Sequence, residues 1–102
     1  MKTWETVKEE IKNQSESDRI NIEAIEAEID LVNKIVQKRK EIGLTQKQLA
    51  EKINVSQSAI SRFESQVSSP RLDLVLSIMG ALDLVINVSS NIWHNLIFYI
   101  YF

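Results

Sequence analysis

Apolar residues recur at helical spacing along most of this chain, and polar punctuation cuts the pattern into separate segments. Trp4, Val7 and Ile11 fall on one side of a short helix over 4–11, with Thr3 as its N-cap. The polar run "NQSES" (13–17) interrupts the pattern. From Ser17 to Gly43, the residues Ile22, Ile25, Ile29, Val32, Val36 and Arg39 repeat at 3-4-3-4-3 spacing. That predicts one helix of ~25 residues, stopped by Gly43. Thr45 and Gln48 form a T-x-x-Q capping box for the next helix, and Ser56 caps the one after it. Ser69-Pro70 is predicted to start a further helix with Pro at its first position, and Leu72, Val75, Leu76 and Met79 form its apolar face. "LDLVINV" (82–88) carries the β-branched Val85, Ile86 and Val88, and there a short strand fits better than more helix. The fold class is therefore mainly all-α, a small helical bundle with an N-terminal arm and a short C-terminal strand.

Composition narrows the chemistry. The chain has 102 residues with no Cys, which excludes disulfides and thiolate metal sites. Its lone histidine, His94, lies in the apolar run "IWHNLIFYIYF" (92–102), so neither a metal site nor histidine-based catalysis has anything to work with. Carboxylates are plentiful, but none clusters with His, Cys or a Gly-rich phosphate loop. No catalytic residue, cofactor or metal is assigned. No apolar run reaches the ~20 residues of a membrane span and no leader is read, so a cytoplasmic, soluble protein is expected.

The net charge of −2 conceals a segregation. Residues 1–33 hold nine acidic side chains against four basic ones, a net −5. Residues 34–71 hold eight basic against Glu41, Glu51 and Glu64, a net +5. The whole-chain pI of about 5.4 argues against nucleic acid, whereas the middle block argues for it. Two blocks of opposite sign suggest two different partners. The organisation read from this is an acidic arm over 1–33, a basic unit over 34–82, and the strand and apolar tail over 83–102.

The stretch "TQKQLAEKINVSQSAISRFES" (45–65) stops one helix at Asn54-Val55 and restarts another two residues later. Such a turn often needs φ > 0, and Asn54 is the commonest choice after Gly. Small Ala50 and Ala59 suit two helices crossing steeply. Leu49, Ile53, Val55, Ile60 and Phe63 would fill the shared core. Gln57, Ser58, Ser61 and Arg62 are left facing outward, at the start of a helix whose N-terminus favours anions. Gln and Ser can read base edges, and Arg62 can pair with guanine or phosphate. This is the pattern of a helix-turn-helix with its recognition helix at 56–64.

"RKEIGLTQKQLAEKINVSQSAISRFE" (39–64) resembles the phage-repressor (XRE) class of helix-turn-helix domains, over about 34–82 of the chain. The flanking "TWETVKEE", the long acidic helix and "ALDLVINV" resemble the HigA-type antitoxins of type II toxin–antitoxin modules. The resemblance implies that Gln46 bonds a phosphate and braces Gln57. It implies that Ser56, Gln57, Ser58, Ser61 and Arg62 meet bases or phosphates of operator DNA, and that Arg39 and Glu64 form a partly buried ion pair. It further implies a homodimer, repression of the protein's own operon, and neutralisation of a small basic mRNA interferase toxin of the HigB/RelE kind. The chain departs from the family in having Asn54 where Gly is usual, and Ser65-Gln66 where Asn-Gly is frequent.

Several readings stay open. Arg71 either reaches a minor groove or phosphate, or is a solvated helix-start arginine. The acidic stretch 16–30 is either a solvated face or, since Ile20, Ile22, Ile25 and Ile29 need covering, a surface packed within the chain or against a partner protein. On the last reading Trp4, Val7, Ile11, Ile22, Glu23, Glu26 and Ile29 are the candidate toxin-binding residues. The tail 92–102 is read as an extension without function, because the resemblance is complete by about Ser89. Three function classes compete: an antitoxin that also represses its operon, a stand-alone XRE-family repressor, and a pure interaction protein.

Overall fold

The computed structural model describes residues 1–89. Five helices follow one another: α1 (Trp4–Lys12), α2 (Glu16–Ile42), α3 (Gln46–Ile53), α4 (Gln57–Ser65) and α5 (Leu72–Ala81). The tail 92–102 lies outside the described residues.

Local signals set most helix ends. The hydroxyls of Thr3, Ser15, Thr45 and Ser56 each accept a hydrogen bond from the amide three residues on, which satisfies one free N–H at each start. At Thr45 the capping box is complete, with the Gln48 side chain accepting from the Thr45 amide at 2.9 Å. Gly43, at φ 83°, closes α2: Leu44 N bonds Arg39 O and Gly43 N bonds Lys40 O, the paired pattern of a left-handed C-cap. Asn54, at φ 59°, closes α3 in the same way. The sequence placed both.

The start of α5 differs from expectation. Pro70 does not open the helix; the helix begins at Leu72 with Arg71 as N-cap and no side-chain capping bond. Instead the Asp73 carboxylate accepts from Leu74 N at 2.9 Å and pairs with Arg71. The apolar face of α5 is also rotated. Val75, Ile78 and Met79 are buried, while Leu72 and Leu76 point outward.

Among the described residues the expected strand does not form. Asp83 takes φ 58°, and Leu84 N bonds Met79 O while Asp83 N bonds Gly80 O. This left-handed cap ends α5 and turns the chain, and residues 84–89 continue without regular structure. A strand needs a second strand to satisfy its amides and carbonyls, and the described chain offers none.

The core gathers Val32 and Ile35 of α2, Leu49 and Ala50 of α3, Ile60 and Phe63 of α4, and Val75, Ile78, Met79 and Leu82 at the other end. The 3-4-3-4-3 stripe on α2 therefore divides. Ile22 is buried under α1, and Val32 and Arg39 are buried in the core, but Ile25 and Ile29 remain 46% and 41% exposed. Ile35, outside the stripe, is 1% exposed because it lies in the cluster shared with side chains of α3, α4 and α5.

Candidate nucleic-acid interface

Helices α3 and α4 pack across the three-residue turn Asn54–Ser56. Leu49 and Ala50 on one side and Ile60 and Phe63 on the other are at most 4% exposed, so α4 has no freedom to roll. Ile53, Val55 and Ala59 are half-buried around them. With that face fixed, Gln57, Ser58, Ser61 and Arg62 are all exposed. Among the described residues, their side chains hold no hydrogen bond or ion pair of their own. Ser56 lies beside them, but its Oγ already accepts from Ala59 N, which leaves its O–H and one lone pair for an outward partner.

A second lock fixes the orientation of α4. Arg39 Nε donates to Glu64 Oε2 at 2.6 Å, and its Nη2 donates to Oε1 at 2.8 Å. Its Nη1 reaches Leu44 O at 2.7 Å. This planar fork is a geometry that only Arg supplies. Both side chains are 9% exposed, and the pair ties α2 to α4. Gln46 also lands here: its Nε2 donates to Glu64 Oε1 at 3.0 Å. Among the described residues no bond joins Gln46 to Gln57. In the free protein Gln46 therefore braces α4 through Glu64, at the start of α3.

Beyond α4 the chain bends at Gln66, which takes φ 57° without being Gly or Asn. Its amide side chain donates to Asn33 Oδ1 at 3.1 Å, and Ser69 Oγ donates to Glu28 Oε2 at 3.3 Å. Both bonds join the loop after α4 to α2, and nothing in the sequence pattern signalled them. Arg62, Ser68, Ser69 and Arg71 border one open hollow of about 240 Å³. Arg71 is 86% exposed, and its charge is offset by Asp73 at 3.2 Å.

A helix-turn-helix family model matches residues 35–85, half of the chain. The chain belongs to the helix-turn-helix family. An uncharacterised HTH-type transcriptional regulator of Haemophilus influenzae is 25% identical over 85 residues, covering 83% of this chain and 82% of the relative. No solved structure matches. The matched range thus spans α3, α4 and the whole of α5 together with the C-terminal part of α2. Among the described residues no helix is long and apolar enough to cross a membrane.

The arm candidates are not brought together on one surface. Ile22 is buried, and Val7 and Ile11 are half-buried against α2. Glu26 holds Lys8 at 3.1 Å and Lys12 at 2.9 Å, so its charge is already matched. Those two ammonium groups pull its carboxyl below the ordinary value. Glu5, then Glu26, hold the Lys8 ammonium above its ordinary range, and Glu26 does the same for Lys12. Glu23 pairs with Arg19 at 3.2 Å on the surface. Only Trp4 and Ile29, of the apolar candidates, face solvent. Buried Lys8 was not anticipated; its spacing one turn after Glu5 was the available signal.

Proposed function

We propose that the protein is a DNA-binding transcriptional regulator that also serves as the antitoxin of a type II toxin–antitoxin module. It acts by binding, without catalysis, in a bacterial cytoplasm. The observation that carries the DNA half is the division of α4. Ile60, Phe63 and Glu64 are locked inward, leaving Gln57, Ser58, Ser61 and Arg62 unengaged on a helix capped by Ser56. Family membership and the regulator from Haemophilus influenzae support the same reading.

In this proposal α4 enters the major groove, with Gln57, Ser58 and Ser61 at base edges and Arg62 at a base or phosphate. Arg71 borders the same hollow as Arg62, and Gln46 would meet a phosphate from the start of α3. One recognition helix reads few base pairs, so the operator is a palindrome bound by a homodimer with half-sites about 34–36 Å apart, or a multiple. The dimer surface is the apolar patch of Leu72, Leu76, Val85, Ile86 and Val88, which are 45–94% exposed. It continues into an apolar hollow of about 280 Å³ between α2, α5 and 84–87. Pairing of 84–88 with the same segment of a second copy would supply the strand partner that the single chain lacks.

The toxin half rests on the net −5 of the arm and on its resemblance to antitoxins that neutralise small basic ribonucleases. An electrophoretic shift titration tests the first half. Gln57→Ala with Ser58→Ala should lose about 1–3 kcal/mol per base contact and relax sequence preference. Unchanged operator preference moves readout away from α4. Co-purification with the product of the adjacent gene tests the second half. With no such partner, the protein is a stand-alone regulator.

A further inference from the structure

Helix α1 folds back on a helix three times its length, and Lys8 and Lys12 hold it there through Glu26. Where α1 begins, an open hollow of about 550 Å³ is left between the two helices. Trp4 and Ile29 are its apolar walls, Glu5, Glu26 and Asp30 are its carboxylates, and Lys8 lies among them. We propose that this hollow is a socket for an arginine side chain carried by a basic protein partner. The proposal rests on the reading of the arm as a protein-binding surface and names the group that the arm recognises.

Three features select arginine. Trp4 is 51% exposed, although burying an indole removes a large apolar area from water, so its face is open to a partner. Three carboxylates line the hollow, Glu5 and Glu26 sharing Lys8, with Lys12 also on Glu26 and Lys34 on Asp30, within an arm of net −5. The ammonium does not point out to repel a cation: Lys8 is held by Glu5 at 2.7 Å and by Glu26 at 3.1 Å, with its side chain only 10% exposed. The outer carboxylates are accessible. Glu5 and Asp30 are 74% and 62% exposed, and each has acceptor positions left after bonding Lys8 and Lys34 respectively. A guanidinium can stack on the indole and fork its N–H groups to these carboxylates at once, whereas a hydrated ammonium does so poorly.

The chain has two tryptophans, so Trp93→Phe leaves Trp4 as the sole indole reporter. Its emission is titrated at physiological ionic strength with an oligo-arginine peptide, an oligo-lysine peptide and an oligo-citrulline peptide of equal length. The arginine peptide should give a saturable change, the lysine peptide should bind about tenfold more weakly, and the neutral citrulline peptide should give none. Glu5→Gln with Asp30→Asn should weaken arginine binding by about tenfold or more, with helical circular dichroism unchanged, and Gln57→Ala should leave it unaffected. Equal binding of lysine and arginine, or undiminished binding by the carboxylate double variant, overturns the socket. The adjacent-gene product separates the two levels. If it fails to bind while the peptide binds, the toxin reading falls and the socket stands. If it binds Trp4→Ala as tightly as the unaltered chain, the socket falls and the toxin reading stands.

Discussion

Helix α2 is held at both ends, and the two joints are built differently. Towards its C-terminal end it contributes Val32 and Ile35 to a cluster of ten buried apolar side chains, and Arg39 to a bidentate pair with Glu64 that also captures Leu44 O and Gln46. At its N-terminal end it joins α1 through one buried apolar residue, Ile22, and a cluster of Lys8, Lys12, Glu5 and Glu26. The first joint excludes water and fixes one geometry. The second leaves its carboxylates one-third to three-quarters exposed, where water competes for every bond. A recognition helix has to be held rigidly to read base edges, whereas an arm that meets a partner tolerates a looser seat.

The sharpest break is Arg39→Ala. It leaves Glu64 buried without its partner, and a loss of about 3–5 kcal/mol in denaturant unfolding is expected. A loss under about 1 kcal/mol, the surface-pair range, would erase the distinction between the joints.

Next comes the contrast between Ile60→Ala and Ile22→Ala. Ile60 is fully enclosed, and its truncation should cost about 2–5 kcal/mol. Ile22→Ala should instead release α1, seen as a shift in Trp4 emission in the Trp93→Phe background, while the main unfolding midpoint moves far less. Equal shifts of that midpoint would make arm and core a single cooperative unit.

The mildest effect is the response of the arm to pH. The Glu26 carboxyl is held below 4.5 in the folded chain, so its contribution is complete above the unfolded value and fades as pH falls through the lowered one. Lys8 and Lys12 are held above 10.5, so their contribution is complete below that value and is lost as pH climbs through the raised ones. The arm should stay docked across the neutral range and loosen only in acid or strong alkali. Trp4 emission followed against pH checks this, and release between pH 4.5 and 10.5 would mean that another group governs the joint.

Local chemistry made much of this protein readable in advance. Thr3, Thr45, Gln48, Gly43, Asn54 and Ser56 act on their own backbone neighbours, so helix starts, stops and the α3–α4 turn follow from residue identity. The outward set Gln57, Ser58, Ser61 and Arg62 was readable too, because Ile60 and Phe63 on the same short helix can only point inward. Other features depended on which surfaces meet. Helical spacing marks Ile22, Ile25, Ile29 and Val32 alike, yet only Ile22 and Val32 are buried, because which part of a regular stripe is covered depends on where the neighbouring elements come to rest. The β-branched 84–88 looks like a strand, but a strand exists only where another pairs with it, and Asp83 turns the chain away from any such partner within the described residues. The Gln46–Glu64, Gln66–Asn33 and Ser69–Glu28 bonds span 18–41 positions in the chain. Spacing carries no trace of them, because a long-range bond is fixed by where two helices come to rest.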